Sequence, residues 1–228
     1  MPLPIYLAMT AAEFEKSSYP PPKIAWMACH FSAYGTGLSN FPTALPEGSI
    51  LIVNDRIPIC GHDPALIAEQ LQELVDSLGC SRVLLDFQRP TDGETAALVK
   101  AVLETVPCPV ATSQRYAEDL SCPVFLPPVP LLQSPQDYLQ PWNHREIWLE
   151  LAREEATYTV TEDGCVCHPM EESVVLPHTD ENLCCRYAIA PLENRVDFPI
   201  RKDLDMLIAA LEKLPQVTCL VGLYQELG

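Results

Sequence analysis

The sequence predicts an α/β fold: a compact (β/α)8 TIM-like barrel with an antiparallel β excursion between its seventh and eighth strands. Three observations point there. Eight short apolar runs alternate with amphipathic helical stretches or loops along the chain, the pattern of parallel strands joined by crossovers. Several runs are apolar throughout, such as Ile50-Leu51-Ile52-Val53 and Val83-Leu84-Leu85, and unbroken apolarity marks strands covered on both faces. No Gly-x-Gly-x-x-Gly follows the first run, which removes the usual reason to prefer the alternative, an open doubly wound sheet. The chain has 228 residues, fewer than the ~250 typical of such barrels, so some helices must be shortened or missing. A single domain over residues 1–228 is expected.

The runs fall near 4–9, 24–31, 49–53, 82–88, 109–113, 123–127, 147–152 and 217–223. After the first, Thr10-Ala11-Ala12-Glu13 has the form of a capping box and opens a short helix, which the prolines at 20–22 stop. After the third, Asp63-Pro64 reads as an N-cap followed by proline at the first helical position. Ile67, Leu71, Leu74 and Leu78 then lie on one helical face, and Gly79 stands where a left-handed C-terminal residue belongs. After the fourth, Thr91-Asp92-Gly93-Glu94 precedes a helix with Leu98, Val99, Val102, Leu103 and Val106 on one face. A last helix is expected over 202–214, ahead of the eighth run.

Residues 157–200 break the alternation. Thr157–Val160 and Cys165–Cys167 flank Glu162-Asp163-Gly164, a hairpin signal. Residues 187–189 and 196–198 flank Leu192-Glu193-Asn194, a second one. These segments form the expected excursion.

The chain carries 31 acidic against 14 basic side chains, a formal net charge of −17. Binding a polyphosphate or an anionic membrane needs a cationic footprint, so neither nucleic acid nor membrane is an expected partner. No apolar run approaches the roughly 18 residues of a membrane span. The first residues lack a basic stretch and their apolar run holds prolines, so no signal peptide is read there and a cytoplasmic location is expected. In that reducing compartment the ten cysteines are read as thiols without disulfides. Cys165, Cys167, His168, Cys184 and Cys185 have the ligand types of a zinc site, but the spacing C-x-C-H then C-C departs from the usual C-x2–4-C pairs. No metal and no cofactor are expected.

In a (β/α) barrel the chemistry sits at the C-terminal ends of the strands. Those ends supply His30 and Tyr34 from the second strand, Asn54 and Asp55 from the third, and Asp86, Gln88 and Arg89 from the fourth. The fifth supplies Ser113-Gln114-Arg115 and Tyr116, the seventh Trp148 and Glu150, and the eighth Tyr224, Gln225 and Glu226. Long hydrogen-bonding side chains beside aromatic rings suit a polyhydroxylated small molecule or an oligosaccharide, whose ring faces are apolar and whose edges donate and accept. Each residue also has a structural reading: Asp86 paired with Arg56 or Arg89, Gln88 a hydrogen-bonding filler, His30 a satisfied core histidine, Trp148 plain core.

Leu85-Asp86-Phe87-Gln88-Arg89-Pro90 resembles the fourth-strand motif of family 18 glycoside hydrolases, the chitinase-like barrels: D-x-x-D-x-D-x-E, often continued as D-W/F-E-Y-P. Aligned on it, Ser81 stands at the first Asp, Leu84 at the second, Asp86 at the third and Gln88 at the Glu, while Phe87 and Pro90 match the flanks. The resemblance implies that Asp86 orients a substrate acetamido group and that residue 88 is the general acid. Gln88 has the shape of that acid but no titratable proton, so it cannot protonate a leaving group. The reading is therefore a chitinase-like barrel that binds a carbohydrate or similar polar ligand without ordinary family-18 hydrolysis. Two alternatives stay open. One is an active hydrolase using two carboxylates from Asp86, Asp55, Glu150 and Glu226, with Asp86 and Glu226 the catalytic candidates. The other is a scaffold whose acidic surface and excursion bind a protein. The oligomeric state is left open.

Overall fold

The structure, a computed structural model, describes residues 2–16, 24–31, 38–39, 41, 43–56, 61, 63–89, 93–117, 120–171 and 173–223, with no side chains described at 11, 12, 15 and 28–31. Eight parallel strands close into a barrel: β1 (Ile5–Met9), β2 (Ile24–Phe31), β3 (Ile50–Asn54), β4 (Arg82–Asp86), β5 (Val110–Ser113), β6 (Val124–Leu126), β7 (Ile147–Leu151) and β8 (Val217–Leu223). Each pairs with its neighbour in chain order, and β1 pairs with both β2 and β8 to shut the ring. All eight expected strands are present, parallel and in the expected order.

Strand periodicity explains the two-sided apolar runs. Alternate residues point inward, so Ile50, Ile52, Leu84, Phe125 and Trp148 fill the barrel interior. Their neighbours Leu51, Val53, Val83 and Leu85 point outward and meet helices α2 (Pro64–Leu78) and α3 (Gly93–Thr105). Helix α2 begins as its sequence dictates. The Asp63 side chain accepts from the Ala65 N–H, Pro64 occupies the first turn, and Gly79 at φ 65° ends it in the left-handed region. Its face buries Ile67, Leu71 and Val75, and truncating Leu71 to alanine costs about 3 kcal/mol in such a setting.

The other helices are short, which is how a full barrel fits in this length. Helix α1 (Ala11–Lys16) opens with the expected capping box, Thr10 Oγ1 and N–H both donating to Glu13. Helices α4 (Gln114–Ala117) and α5 (Pro135–Leu139) are single turns. Helix α6 (Leu204–Leu211) starts later than the sequence suggests. Asp203 caps it by accepting from the Met206 N–H, and Lys202 instead ends the preceding strand, paired with Cys185.

Between β7 and β8 lies an antiparallel sheet over 155–202. Its strands run in the spatial order Gly164–His168, Glu155–Thr161, Arg195–Lys202, Cys185–Tyr187, His178–Asp180, with Ala190–Leu192 also pairing Arg195–Lys202. The first expected hairpin forms, turning at Glu162-Asp163; the second turns at Glu193-Asn194 as expected, but its first arm is Ala190–Leu192 rather than 187–189. The hairpin of Cys185–Tyr187 with His178–Asp180 is additional. Ala156, Cys185 and Ile200 pack with Leu131 from the β6–β7 connection. Lys202, 1% exposed, donates from Nζ to Leu183 O at 2.7 Å and to Gln133 O at 3.1 Å, joining the sheet to that same connection.

Candidate ligand-binding site at the barrel mouth

The inward register of each strand decides what reaches the mouth. On β4, Arg82 and Leu84 point inward below Asp86. Arg82 donates to the Tyr6 hydroxyl at 2.5 Å and lies over the Trp148 ring. Trp148 is fully buried and donates from Nε1 to Glu146 at 3.2 Å. It is a floor of the interior core, the structural one of its two readings, because it sits two residues below Glu150 on the same inward face.

Above that floor, Asp86 and Glu150 line one small cavity of about 50 Å³, walled by Ile52, Leu84, Phe125 and Val221. Burial pushes the Asp86 carboxyl above the usual carboxylate range. The Gln88 hydrogen bond opposes the rise, the Asp55 charge adds to it, and the Arg56 charge opposes it. Among the described residues Asp86 makes no ion pair; its hydrogen-bond partner is the Gln88 side-chain amide, which donates to Oδ1.

A wider cleft of about 330 Å³ adjoins it, lined by Gln88, Ser113, Gln114, Arg115, Phe125 and Glu150. Phe125 and Glu150 border both spaces. The backbone N–H and C=O of Gln88 are both held, as are the carbonyl before it and the N–H after it. Ser113 Oγ donates to Phe87 O at 2.8 Å, Arg115 donates to Gln88 O at 2.9 Å, and Asp55 accepts the N–H groups of Gln88 and Arg89 at 2.9 and 2.8 Å. Behind Pro127, which also lines the cleft, Tyr138 of α5 donates to Pro127 O at 3.0 Å. Burial, and then the Glu150 charge, push its phenol up to about 12, so it stays a neutral donor.

The structure thus brings Asp86, Gln88, Asp55, Asn54 and Arg89 together, in different roles. Asp86 and Gln88 face the cavity and cleft. Asp55, 4% exposed, is turned to the backbone of the β4 loop. Asn54 accepts from the Arg56 N–H at 3.2 Å. Arg89 spends its guanidinium on Asp55 O and Arg56 O, each at 2.7 Å, so it straps two loops together. Tyr116 is drawn away from the mouth. It is 7% exposed and packs edge-on against Phe87 at 6.0 Å in the layer between barrel and helices, because the first turn of α4 rotates it outward. The His30 side chain and residues Tyr34, Tyr224, Gln225 and Glu226 lie outside the described residues.

Glu150, weighed in the sequence as a substitute carboxylate, borders both spaces. Phe125 was read as strand body, although its place two residues before Pro127 on one face puts it under the cleft. The sulfur and imidazole groups of the excursion are dispersed. Cys165, Cys167 and His168 stand on an exposed strand, whereas Cys184 and Cys185 are buried, with Cys185 Sγ donating to Leu183 O and Leu131 O. Among the described residues no group of three or more potential metal ligands assembles. No helix of the described residues is long and apolar enough to cross a membrane.

A closed parallel barrel whose strand ends wall a polar cleft, carrying an antiparallel sheet before its last strand, is the class that fold and site define. Solved structures similar to it include two spore cortex-lytic enzymes and a protein described as a glycosylase. The spore cortex-lytic enzyme SleL of Bacillus cereus aligns with 96% of this chain and 70% of its own at a TM-score of 0.55 and 9% identity. The protein described as the sporulation-specific glycosylase YdhD of Bacillus subtilis covers 87% and 90% at 0.52 and 7%. SleL of Bacillus megaterium covers 96% and 70% at 0.51 and 10%. At these identities the likeness is one of fold. No protein-family profile and no curated protein matches the sequence.

Proposed function

We propose that the mouth binds a carbohydrate or a similar polar ligand and does not carry out ordinary family-18 hydrolysis. The observation that carries this reading is the state of residue 88. At the position where the motif it resembles has its acid, a glutamine is anchored through its backbone to Asp55 and Arg115, and its side-chain amide is committed to Asp86. An amide does not titrate in the working range, so this group can orient a glycosidic oxygen but not protonate it. The cleft, at about 330 Å³, is at the small end of ligand sites. Phe125 offers a ring face, and Gln114, Arg115 and Glu150 offer donors and acceptors to hydroxyl groups. Likeness of fold to cortex-lytic enzymes and a glycosylase supports a saccharide as the ligand. A single domain and a cytoplasmic location go with this reading.

A second reading has one observation in its favour. Asp86 and Glu150 share a cavity, and burial holds Asp86 toward its protonated form, the arrangement of a paired acid and base. Its weakness is size. About 50 Å³ has room for a few waters, so a sugar ring would have to remain in the cleft above.

The experiment is to titrate the protein with unlabelled chito-oligosaccharide and to assay it on the chromogenic form. Weak binding without turnover is the expected result. Turnover abolished by Asp86→Asn or Glu150→Gln establishes the second reading. Neither binding nor turnover removes both.

A further inference from the structure

The exposed apolar surface of this chain is unevenly placed. Of the nine large hydrophobic residues that stand exposed among those described, six lie within 155–202, about a fifth of the chain. Scattered exposed hydrophobics are ordinary, but their concentration in one element marks a contact surface.

Three of them, Val160, Leu192 and Val196, meet at the distal end of the antiparallel sheet. Between the two hairpin tips runs a groove of about 620 Å³, whose apolar lining is Val160, Leu192 and Val196. These are 47%, 52% and 37% exposed, and Val160 and Val196 are a direct cross-strand pair. Its rim is acidic: Glu162, Asp163 and Glu193. The one cation of the lining, Arg195, is taken by Asp197 at 3.2 Å. The groove therefore combines apolar sockets with uncompensated negative charge. We propose that it docks a basic segment of a protein partner, one that inserts an aliphatic side chain between the tips and sets Lys or Arg against the rim.

Charge selects this occupant over the others. A second copy of the chain brings a net charge of −17 of its own, and an anionic membrane is likewise repelled. A saccharide would gain little from three aliphatic side chains without an aromatic face. A cationic peptide gains steering from the whole molecule and local pairing at the rim. The groove is separate from the barrel mouth and shares no lining residue with the cleft there.

The test uses the full chain and three short labelled peptides, of alternating Lys and Leu, alternating Lys and Ser, and alternating Glu and Leu, followed by fluorescence anisotropy. The Lys–Leu peptide is expected to bind and the other two to bind much more weakly. Val160→Thr with Val196→Thr keeps the branched shape and strand propensity while removing apolar surface, and Glu162→Lys with Glu193→Lys reverses the rim. Each pair should weaken the Lys–Leu peptide by about tenfold. Glu69→Lys with Glu73→Lys makes the same change in net charge on the exposed face of α2 and should leave the affinity within about twofold. Equal weakening by the α2 pair, equal binding of the Lys–Ser peptide, or no binding of the Lys–Leu peptide would each overturn the proposal.

Discussion

Asp55 and Gln88 are joined through the backbone: Oδ1 of the buried Asp55 carboxylate accepts the Gln88 N–H at 2.9 Å, while Oδ2 takes the next amide, that of Arg89, at 2.8 Å. One carboxylate from the end of β3 thus fixes the loop that follows β4. This arrangement holds Gln88 at the cleft irrespective of any ligand.

The first prediction follows directly. Asp55→Ala leaves two amide donors without an acceptor, and bonds to a charged acceptor are worth about 1.5–3 kcal/mol each. The variant should lose about 3 kcal/mol. Asp55→Asn should lose roughly half as much, because one carbonyl oxygen remains to accept while its NH₂ faces the other donor. Urea unfolding measures both. A loss below about 1 kcal/mol for the alanine variant would show that water replaces the carboxylate freely.

The second concerns pH. Burial is the main reason that the Asp86 carboxyl lies above its ordinary value in the folded chain. A carboxyl with a raised folded pKa contributes stability that is fully present below the unfolded value and is lost as pH rises through the folded one. Asp86→Asn removes that dependence and still accepts from Gln88 through its own carbonyl oxygen. The variant should be the more stable protein at neutral pH, with the advantage vanishing as pH falls below the ordinary aspartate range. Stability curves of the two proteins against pH that stay parallel across this range would contradict the assignment.

The third concerns the buried ammonium of Lys202. Its two carbonyl acceptors come from different parts of the fold, Leu183 in the antiparallel sheet and Gln133 in the β6–β7 connection. Lys202→Met keeps the length and removes both donations, which should cost about 1–3 kcal/mol. Burial also lowers the lysine pKa. The unfolded chain therefore holds this proton more tightly, and wild-type stability should gain from this group as pH rises above its folded pKa. The methionine variant should lack that gain. Denaturant titrations at neutral and alkaline pH read both effects.

Why the barrel strands were legible and the site only partly so has a physical explanation. A strand buried on both faces must be apolar at consecutive positions, so β3 and β4 announce themselves over four or five residues. Likewise Asp63-Pro64 and Gly79 mark the ends of α2 by backbone chemistry alone. Ser134-Pro135 carries the same signal for α5, with Ser134 Oγ accepting from the Asp137 N–H at 3.1 Å, but a single turn has no periodicity to draw attention to it. Side-chain direction after a strand ends is another matter. Tyr116 follows β5 closely, yet the turn of α4 sends it outward to Phe87. Asp55 sits beside Asn54 at the end of β3 and faces its neighbours' amides. Parity holds only while the strand lasts. Asp86 and Glu150, still within their strands, are where alternation puts them, whereas Arg89 is captured by loop carbonyls that no spacing encodes.

The last prediction tests what position 88 can do. Gln88→Glu supplies the acid that the family-18 motif, which this segment resembles, has at that place, at a residue whose side chain already touches Asp86. Two carboxyl groups that close cannot both ionise cheaply, so the pair must retain a proton well above the ordinary carboxylate range. By the same sign argument as for Asp86, that costs stability as pH rises. The variant should match the wild type in acid and fall below it at neutral pH, by about 1–2 kcal/mol for a partly exposed pair. Hydrolysis should not appear with it. Where the motif has its other two aspartates, Leu84 is buried in the barrel interior and Ser81 is exposed, bonding Gly48 O at 2.8 Å. No further carboxylates from β4 stand beneath Asp86 to share its proton during bond cleavage. Unfolding curves at acid and neutral pH, together with the chromogenic chito-oligosaccharide assay, decide it. Turnover by Gln88→Glu would mean that the proton at position 88 was the single missing component and that Glu150 or Asp86 already supplies the rest.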